Sequence, residues 1–139
     1  MVLAHVKPQP YVFKLLPFFS KHNGTTIFQT IYLKKEIYDN LRESNPNPRN
    51  IAILEHEEFH LKRFKEIGNV EFAVKYLMSG RFRFNEELEA NKKAFKILKK
   101  SNLSLDLTKK AKALSGWVYL WSVSYDFAIK SLEKAWQEA

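Results

Sequence analysis

The sequence predicts an α+β fold, or a nearly all-α one, in which helices dominate and a small sheet lies near the N-terminus. The segment Thr25–Leu33 (TTIFQTIYL) is rich in β-branched and aromatic residues, which favour strands. From residue 48 onward the apolar residues recur at helical spacing, and Gly68, Gly80 and Gly116 interrupt the pattern where helices would end. A strand region followed by helices is the α+β pattern.

Composition indicates one globular domain, residues 1–139. The chain contains no cysteine, which excludes a disulfide scaffold, a thiolate zinc finger, a cysteine-ligated iron–sulfur cluster and a cysteine nucleophile. The apolar stretch Tyr11–Phe19 is interrupted by Lys14 and Pro17 and is too short to span a bilayer. We therefore expect a cytoplasmic protein without a membrane span. The net charge of +8 favours anionic partners.

The individual elements follow from local signals. Pro8, Pro10 and Pro17 argue against a long helix in the first 20 residues, and the triplet 22–24 (His-Asn-Gly) favours a turn before the strand. The loop that ends at Pro48 suits the start of a helix. We predict helices over these approximate segments: Lys34–Arg42, Pro48–Ile67, Val70–Met78, Asn85–Lys100, Leu103–Leu114 and Ser124–Gln137.

The second of these helices contains an H-E-x-x-H match, His56-Glu57-Glu58-Phe59-His60. Residues four apart lie on one helix face, so both imidazoles can reach one zinc ion. Glu57 then lies beside the metal, where it can take a proton from zinc-bound water. The alternative is a pair of hydrogen-bonded core histidines. A helical wheel places both histidines in the middle of the apolar face and Arg63, against the pattern, close to them.

Catalytic zinc needs a third protein ligand, and three glutamates on a later helix compete for that role. On the helical wheel Glu87 lies at the centre of the apolar arc, Glu86 lies at its margin, and Glu89 lies among lysines on the solvent side. A carboxylate within an apolar stripe is unfavourable unless it binds a cation or accepts hydrogen bonds. The wheel therefore favours Glu87 over the other two, although Arg83, four residues earlier, could also pair with it.

These residues resemble a gluzincin metallopeptidase, in which H-E-x-x-H on one helix is completed by a glutamate on a later helix. Segment 87–91 (ELEAN) fits the E-x-x-A-[DN] pattern of several such families and independently selects Glu87. The size and layout are similar to those of the soluble minigluzincins. The resemblance implies a zincin-like fold with an active-site helix and a glutamate helix. Two positions depart from it: Glu58, where many peptidases have an apolar residue, and Asn91, where relatives often have Asp.

The resemblance implies a zinc-dependent peptidase with His56, His60 and Glu87 as ligands and Glu57 as general base. Asn91 would hydrogen-bond a ligand histidine. The strand would bind extended peptide through the backbone of its final residues, and a tyrosine of the C-terminal third would stabilise the oxyanion. The residues for substrate are Thr30, Ile31 and Tyr32. For the oxyanion they are Tyr119 or Tyr125, chosen by side-chain type alone, and the alternative is that these tyrosines belong to the core.

Two further expectations concern the second half of the chain. The basic region Arg81–Lys112 could contact nucleic acid in a non-enzymatic module with or without a structural zinc, although its lysines also fit a solvated helix face. The aromatic segment Ser115–Tyr125 (SGWVYLWSVSY) could lie over or beside the cleft and limit access to it. In the minigluzincins the segment after the glutamate helix can block the cleft and keep the protein latent. The alternative is that these aromatic residues complete the core.

Overall fold

The computed structural model describes residues 3–16 and 21–139. Over those residues it contains six α-helices and one three-stranded sheet, which confirms the predicted α+β class. Pro8 ends the first strand and Pro10 precedes a short 3-10 helix, Tyr11–Leu15, so no long helix forms in residues 3–16. Pro17 lies outside the described residues. Within the described ranges, no helix is both long and apolar enough to cross a membrane.

The sheet consists of β1 (Val6–Pro8), β2 (Gly24–Ile27) and β3 (Thr30–Leu33) in the order β1-β3-β2. β3 pairs in parallel with β1 and antiparallel with β2, so both of its edges are occupied. The prediction of one strand over residues 25–33 is therefore wrong. The chain turns at Phe28, which has a φ of 52°, and Gln29, and returns as a tight hairpin. Strand-favouring composition is the same for one long strand and for two short ones, so it could not reveal the turn.

In the described part of the chain, six α-helices follow the sheet. The prediction of the second helix was correct at both ends, since Asn47 caps it by accepting a hydrogen bond from the Arg49 amide and Gly68, with a φ of 96°, ends it. The bounds are α1 Lys35–Leu41, α2 Pro48–Ile67, α3 Asn69–Met78, α4 Gly80–Lys100, α5 Leu107–Ser115 and α6 Tyr125–Glu138.

Two helices begin at a different residue from the one predicted, and in both the N-cap residue fixes the start. α4 begins at Gly80 and not near Asn85, because the Ser79 hydroxyl accepts a hydrogen bond from the Phe82 amide. α5 begins at Leu107 and not near residue 103, because Asp106 accepts from the Lys109 amide. The earlier start of α4 places Arg83 inside a helix instead of before it.

The core forms on both sides of the packed pair α2 and α4. On one side the sheet, α1 and α2 bury an aliphatic cluster: Val6, Ile31, Leu33, Ile37, Leu41, Leu54 and Leu61. On the other side α4, α5 and α6 bury a second cluster: Phe84, Phe95, Ala111, Leu114, Ala128, Leu132 and Ala135. A smaller group, Ala52, Ala94 and Leu98, lies where α2 and α4 meet. The two helices that carry the H-E-x-x-H motif and the glutamates are therefore fixed against each other by core contacts.

Candidate metal centre

The two motif histidines project from α2 towards α4, one turn apart. His56 Nε2 lies 3.2 Å from His60 Nε2. His60 is buried and His56 nearly so. The helical-wheel expectation that both rings lie on the inward face is confirmed. Because both Nε2 atoms point to the same place, they can bind one cation together.

Glu87 of α4 completes this group. Its Oε2 lies 3.2 Å from His56 Nε2, and its Oε1 lies 3.3 Å from His60 Nε2. Glu86 is instead held by Arg63, and Glu89 is exposed and paired with Lys92 at 2.6 Å. Of the three glutamates that the sequence left in competition, the structure brings Glu87 alone to the histidines, and the three residues form a group that could hold a metal ion.

The spacing of the three ligand atoms fits a tetrahedral zinc site. With zinc–ligand bonds of about 2.0 to 2.1 Å, neighbouring ligand atoms in a tetrahedron are about 3.3 Å apart. The three separations here are 3.2, 3.2 and 3.3 Å. Over the described residues, the buried Glu87 Oε2 has no hydrogen-bond partner of good geometry. A buried carboxylate oxygen in that state is unfavourable, and a bound cation would satisfy it.

The electrostatics of the site also favour a cation. Burial alone would raise the pKa of Glu87, but His60 and His56 outweigh it and hold that pKa well below its usual value. Burial would lower the pKa of His60, but the Glu87 carboxylate outweighs it and raises that pKa. Glu87 therefore stays ionised between two imidazoles whose ring nitrogens can take either a proton or a metal ion.

Glu57 lies beside the histidines and is held in place by a hydrogen bond from a residue of β2. The Thr26 hydroxyl lies 2.8 Å from Glu57 Oε2 and 3.1 Å from the Glu57 carbonyl oxygen. Gly24 lies so close that an added Cβ would be 3.0 Å from Glu57 Cγ and 2.8 Å from Leu33 Cδ2. Sequence reasoning missed both partners, because Thr26 and Gly24 are unremarkable residues of a strand and a turn.

Two tyrosines also reach the site. The Tyr76 hydroxyl donates a hydrogen bond of 3.0 Å to Glu87 Oε1. Burial and the Glu87 carboxylate raise the pKa of both Tyr76 and Tyr119 well above the usual value, so both phenols keep their protons. Tyr125, the other tyrosine that the sequence suggested, is exposed at the start of α6 and does not line the cleft.

The metal-ligand group lies where two adjoining cavities meet. Both cavities are lined by the same set of residues near the ligands: His22, Gly24, His56, Glu57 and Tyr119. One cavity, of about 400 Å³, we call the apolar half of the cleft; its apolar walls are Ile27, Phe28, Phe64, Phe72, Ala73 and Leu77. The other, of about 690 Å³, we call the cationic half; its charged walls are Lys21, Lys34, Arg49, Lys109 and Lys110.

The strand residues predicted to bind substrate are not at the cleft edge. Thr30, Ile31 and Tyr32 belong to β3, whose backbone is paired with β1 and β2. This corrects the expectation that they bind extended peptide. Among the strands of residues 3–16 and 21–139, β2 is the edge strand that lines the cleft, and there its second edge carries no pairing strand. Its residues Gly24–Ile27 run from the cationic half into the apolar half.

The two departures from the gluzincin pattern are placed as follows. The buried Asn91 amide donates a 2.8 Å hydrogen bond to the Glu87 carbonyl, while its Oδ1 has no hydrogen-bond partner within the described part of the chain. A hydrogen bond from Asn91 to a ligand histidine stays a prediction. Glu58 is half-buried, and burial followed by the charge of Glu55 raises its pKa.

Arg63 lies near the apolar face because it has a buried carboxylate partner. Its guanidinium donates to both oxygens of Glu86 across the α2–α4 interface, and also to Glu66. These carboxylates, Glu86 first, raise the pKa of Arg63. The interaction joins the two ligand-bearing helices one turn beyond the histidines. Sequence reasoning recorded Arg63 as a misfit and did not find its partner, which lies 23 residues away.

The aromatic segment Ser115–Tyr125 lies beside the cleft. Tyr119 lines both halves, and its ring stands 5.3 Å from that of His22. Trp117 and Trp121 are 43% and 69% exposed. The alternative expectation, that they complete the core, is therefore wrong for these two residues. Buried Arg83 fixes this segment and does not pair with Glu87. Its guanidinium donates to Ser122 Oγ and to the backbone carbonyls of Tyr76, Leu77, Tyr119 and Leu120.

No protein-family model matches this sequence, and comparisons with curated proteins and with solved structures find no significant match. A cluster of two histidines and one glutamate also occurs outside the gluzincins. Gluzincin membership therefore stays a prediction, and the support for a metal site is the geometry described above.

Proposed function

We propose that this chain is a zinc-dependent peptidase in which His56, His60 and Glu87 hold the metal and Glu57 is the general base. One observation carries the proposal. Three ligand atoms at the spacing of a tetrahedral zinc site lie at an open cleft, with the Glu57 carboxylate held beside them by Thr26. A purely structural metal site would be closed and would have no need of a fixed carboxylate next to it.

In this proposal each residue has a defined task. When bound, zinc lowers the pKa of a coordinated water towards neutrality and polarises the peptide carbonyl. Glu57 takes the proton of the attacking water and passes it to the leaving amine. The protonated hydroxyl of Tyr119 donates a hydrogen bond to the developing oxyanion, since the Tyr76 hydroxyl already donates to Glu87. The free edge of β2 aligns the peptide by backbone hydrogen bonds.

The proposal includes restricted access to the cleft. The Tyr119 ring and the His22 ring make an edge-to-face contact where the apolar and cationic halves meet. Arg83 holds the Tyr119 side of that contact by donating to the backbone carbonyls of Tyr119 and Leu120. A peptide that occupies both halves must pass between these two rings, which would keep the protein latent until they separate.

The ligand set is tested by metal analysis of protein purified without added zinc. We expect about one zinc per chain in the wild type and loss of zinc in His60→Ala and in Glu87→Ala, because each removes one of three protein ligands. Glu89→Ala is the matched control, since it removes an exposed glutamate of the same helix. Loss of zinc in Glu89→Ala but not in Glu87→Ala would contradict the assignment. Absence of zinc from every preparation, including protein reconstituted with zinc, would contradict the function.

A further inference from the structure

The cationic half of the cleft has an unusual balance of charge. Five basic side chains from four separate parts of the chain line it: Lys21, Lys34, Arg49, Lys109 and Lys110. In the described part of the chain, Glu57 is the one acidic residue that lines this cavity. Positive charges that converge in one cavity repel one another, and an anion that enters relieves the repulsion.

Five of the fourteen lysines on the α-helices are already paired with a carboxylate, whereas the five cations of the cationic half stand out by converging on one cavity without such a partner among the residues that the structure describes. Five lysines elsewhere in the chain pair with a carboxylate three or four residues away on their own helix: Lys35, Lys62, Lys75, Lys92 and Lys134. None of the five cations of the cationic half is within ion-pair distance of a carboxylate in residues 3–16 and 21–139. Lys21 instead stands over the Trp117 ring, and Arg49 donates to the Ser104 carbonyl.

Lys110 is a cation of this cavity that interacts electrostatically with the carboxylates of the candidate site. It is half-buried on α5, and the carboxylates of Glu57 and Glu87 both act on it electrostatically. Burial outweighs them and lowers its pKa, which reflects an ammonium group partly removed from water. A desolvated ammonium without a close counter-ion is a strong site for an incoming carboxylate.

β2 links this cavity to the proposed site of cleavage. The strand begins at Gly24, which lines both halves, and ends at Ile27, which lines the apolar half. A peptide along its free edge would advance by about 3.3 Å per residue. It would therefore place residues on one side of the scissile bond among apolar walls and residues on the other side among cations.

We propose that the cationic half binds a carboxylate of the peptide substrate, and so selects substrates that are acidic on one side of the scissile bond. This inference rests on the proposed peptidase function. The carboxylate comes from an Asp or Glu side chain or from a free C-terminus. A peptide is a better occupant than a nucleic acid because the cavity leads directly to the metal ligands and has an apolar floor, Ala52, Ala94, Leu98 and Leu105.

The test uses a set of ten-residue peptides with one Glu stepped through the sequence, and a matched set with Gln. Both sets are amidated at the C-terminus; a third peptide has no acidic side chain and a free C-terminus. Binding is measured by fluorescence anisotropy with zinc-loaded Glu57→Gln, and kcat/KM is measured with the wild type. We expect one or two adjacent Glu positions, or the free C-terminus, to improve both quantities by about tenfold or more. Which peptide gains identifies the source of the carboxylate.

Variants show whether the gain comes from this cavity. We compare kcat/KM for the best Glu peptide with kcat/KM for its matched Gln peptide and call this the Glu-to-Gln ratio. Lys34→Met and Lys110→Met should each reduce this ratio by about fivefold, and the double variant should bring it close to one. Lys96→Met, which removes an exposed lysine of α4 outside the cavity, is the matched control and should leave the ratio unchanged. Raising the salt concentration from 0.05 to 0.5 M should reduce the ratio in the wild type, because partly exposed charges are screened.

The outcomes separate this inference from the proposed function. Cleavage of Gln peptides with no gain from any carboxylate would overturn the inference and leave the peptidase. Selective binding of Glu peptides, lost in Lys110→Met, without any cleavage would support the inference and contradict the peptidase. A single-stranded oligonucleotide that binds more tightly than the best Glu peptide, and loses binding in the same lysine variants, would overturn the inference in favour of nucleic acid.

Discussion

The two halves of the cleft meet at one group of candidate metal ligands but are built in different ways. The apolar half is formed by α3, the end of α2 and the hairpin, and its walls pack against one another: the ring centroids of Phe64 and Phe72 are 4.2 Å apart. The cationic half is formed by the start of α2, α5 and the segment before β2, and its cations do not pair with carboxylates among the described residues. The apolar half therefore contributes to the stability of the fold. The cationic half is lined by charged side chains that do not contribute to the packing of the core.

The largest effect is expected at Glu57, one of the residues that line both halves. Glu57→Gln should lower kcat by about 100- to 10,000-fold, because a neutral amide cannot take the proton of the attacking water. The loss should be equal for apolar and for acidic peptides, and zinc content should not change. Peptidase assays and metal analysis of the same preparation check this. A variant as active as the wild type would remove Glu57 from the mechanism.

The next prediction compares how much one residue of each half contributes to the free energy of unfolding. Phe72→Ala should lower the free energy of unfolding by about 3 to 5 kcal/mol, because Phe72 is buried and packs against three aromatic rings. Lys110→Met should change it by less than about 0.5 kcal/mol, since it keeps the aliphatic stem and removes an ammonium group that has no close counter-ion. Urea unfolding of both variants gives the two values. Equal destabilisation would show that the cationic half is also structural.

Gly24 lies at the boundary, and its substitution should affect chemistry without affecting metal binding. In Gly24→Ala the new Cβ would displace the Glu57 side chain or Leu33, both within about 3 Å of it. Since a misplacement of about 1 Å can lower a rate on the order of 100-fold, we expect a loss of that size in kcat with zinc retained. Thr25→Ala, at the next position of the strand, is a control that leaves Glu57 in place. Wild-type kinetics in Gly24→Ala would show that Glu57 tolerates displacement.

The smallest effect concerns the passage between the halves. Tyr119→Phe keeps the ring that packs against His22 and loses the hydroxyl that would donate to the oxyanion, so kcat should fall by about tenfold while a bound metal would still polarise the carbonyl. Tyr119→Ala loses the ring as well, and should hydrolyse a long unstructured peptide faster than Tyr119→Phe does. Steady-state kinetics of the pair test both statements. If the Ala variant is no faster than the Phe variant, the ring does not limit access.

Much of the metal centre could be predicted from the sequence because it depends on local helix geometry. The bounds of α2, the inward face of His56 and His60, and the choice of Glu87 over Glu86 and Glu89 all follow from a repeat of about 3.6 residues per turn. The apolar stripe on each helix was enough to orient these side chains. The prediction failed where a local signal was ambiguous, as in the hairpin at Phe28.

The rest was decided by the tertiary structure, because it joins residues that are far apart in the chain. Thr26 reaches Glu57 across 31 positions, and Arg63 reaches Glu86 across 23. The five cations of the cationic half come from positions between 21 and 110, and no spacing in the sequence relates them. Charge composition determined that the chain has an excess of basic residues. Only the tertiary fold, which places α5, the start of α2 and the segments beside β2 and β3 around one cavity, brings five of them together beside the candidate metal ligands.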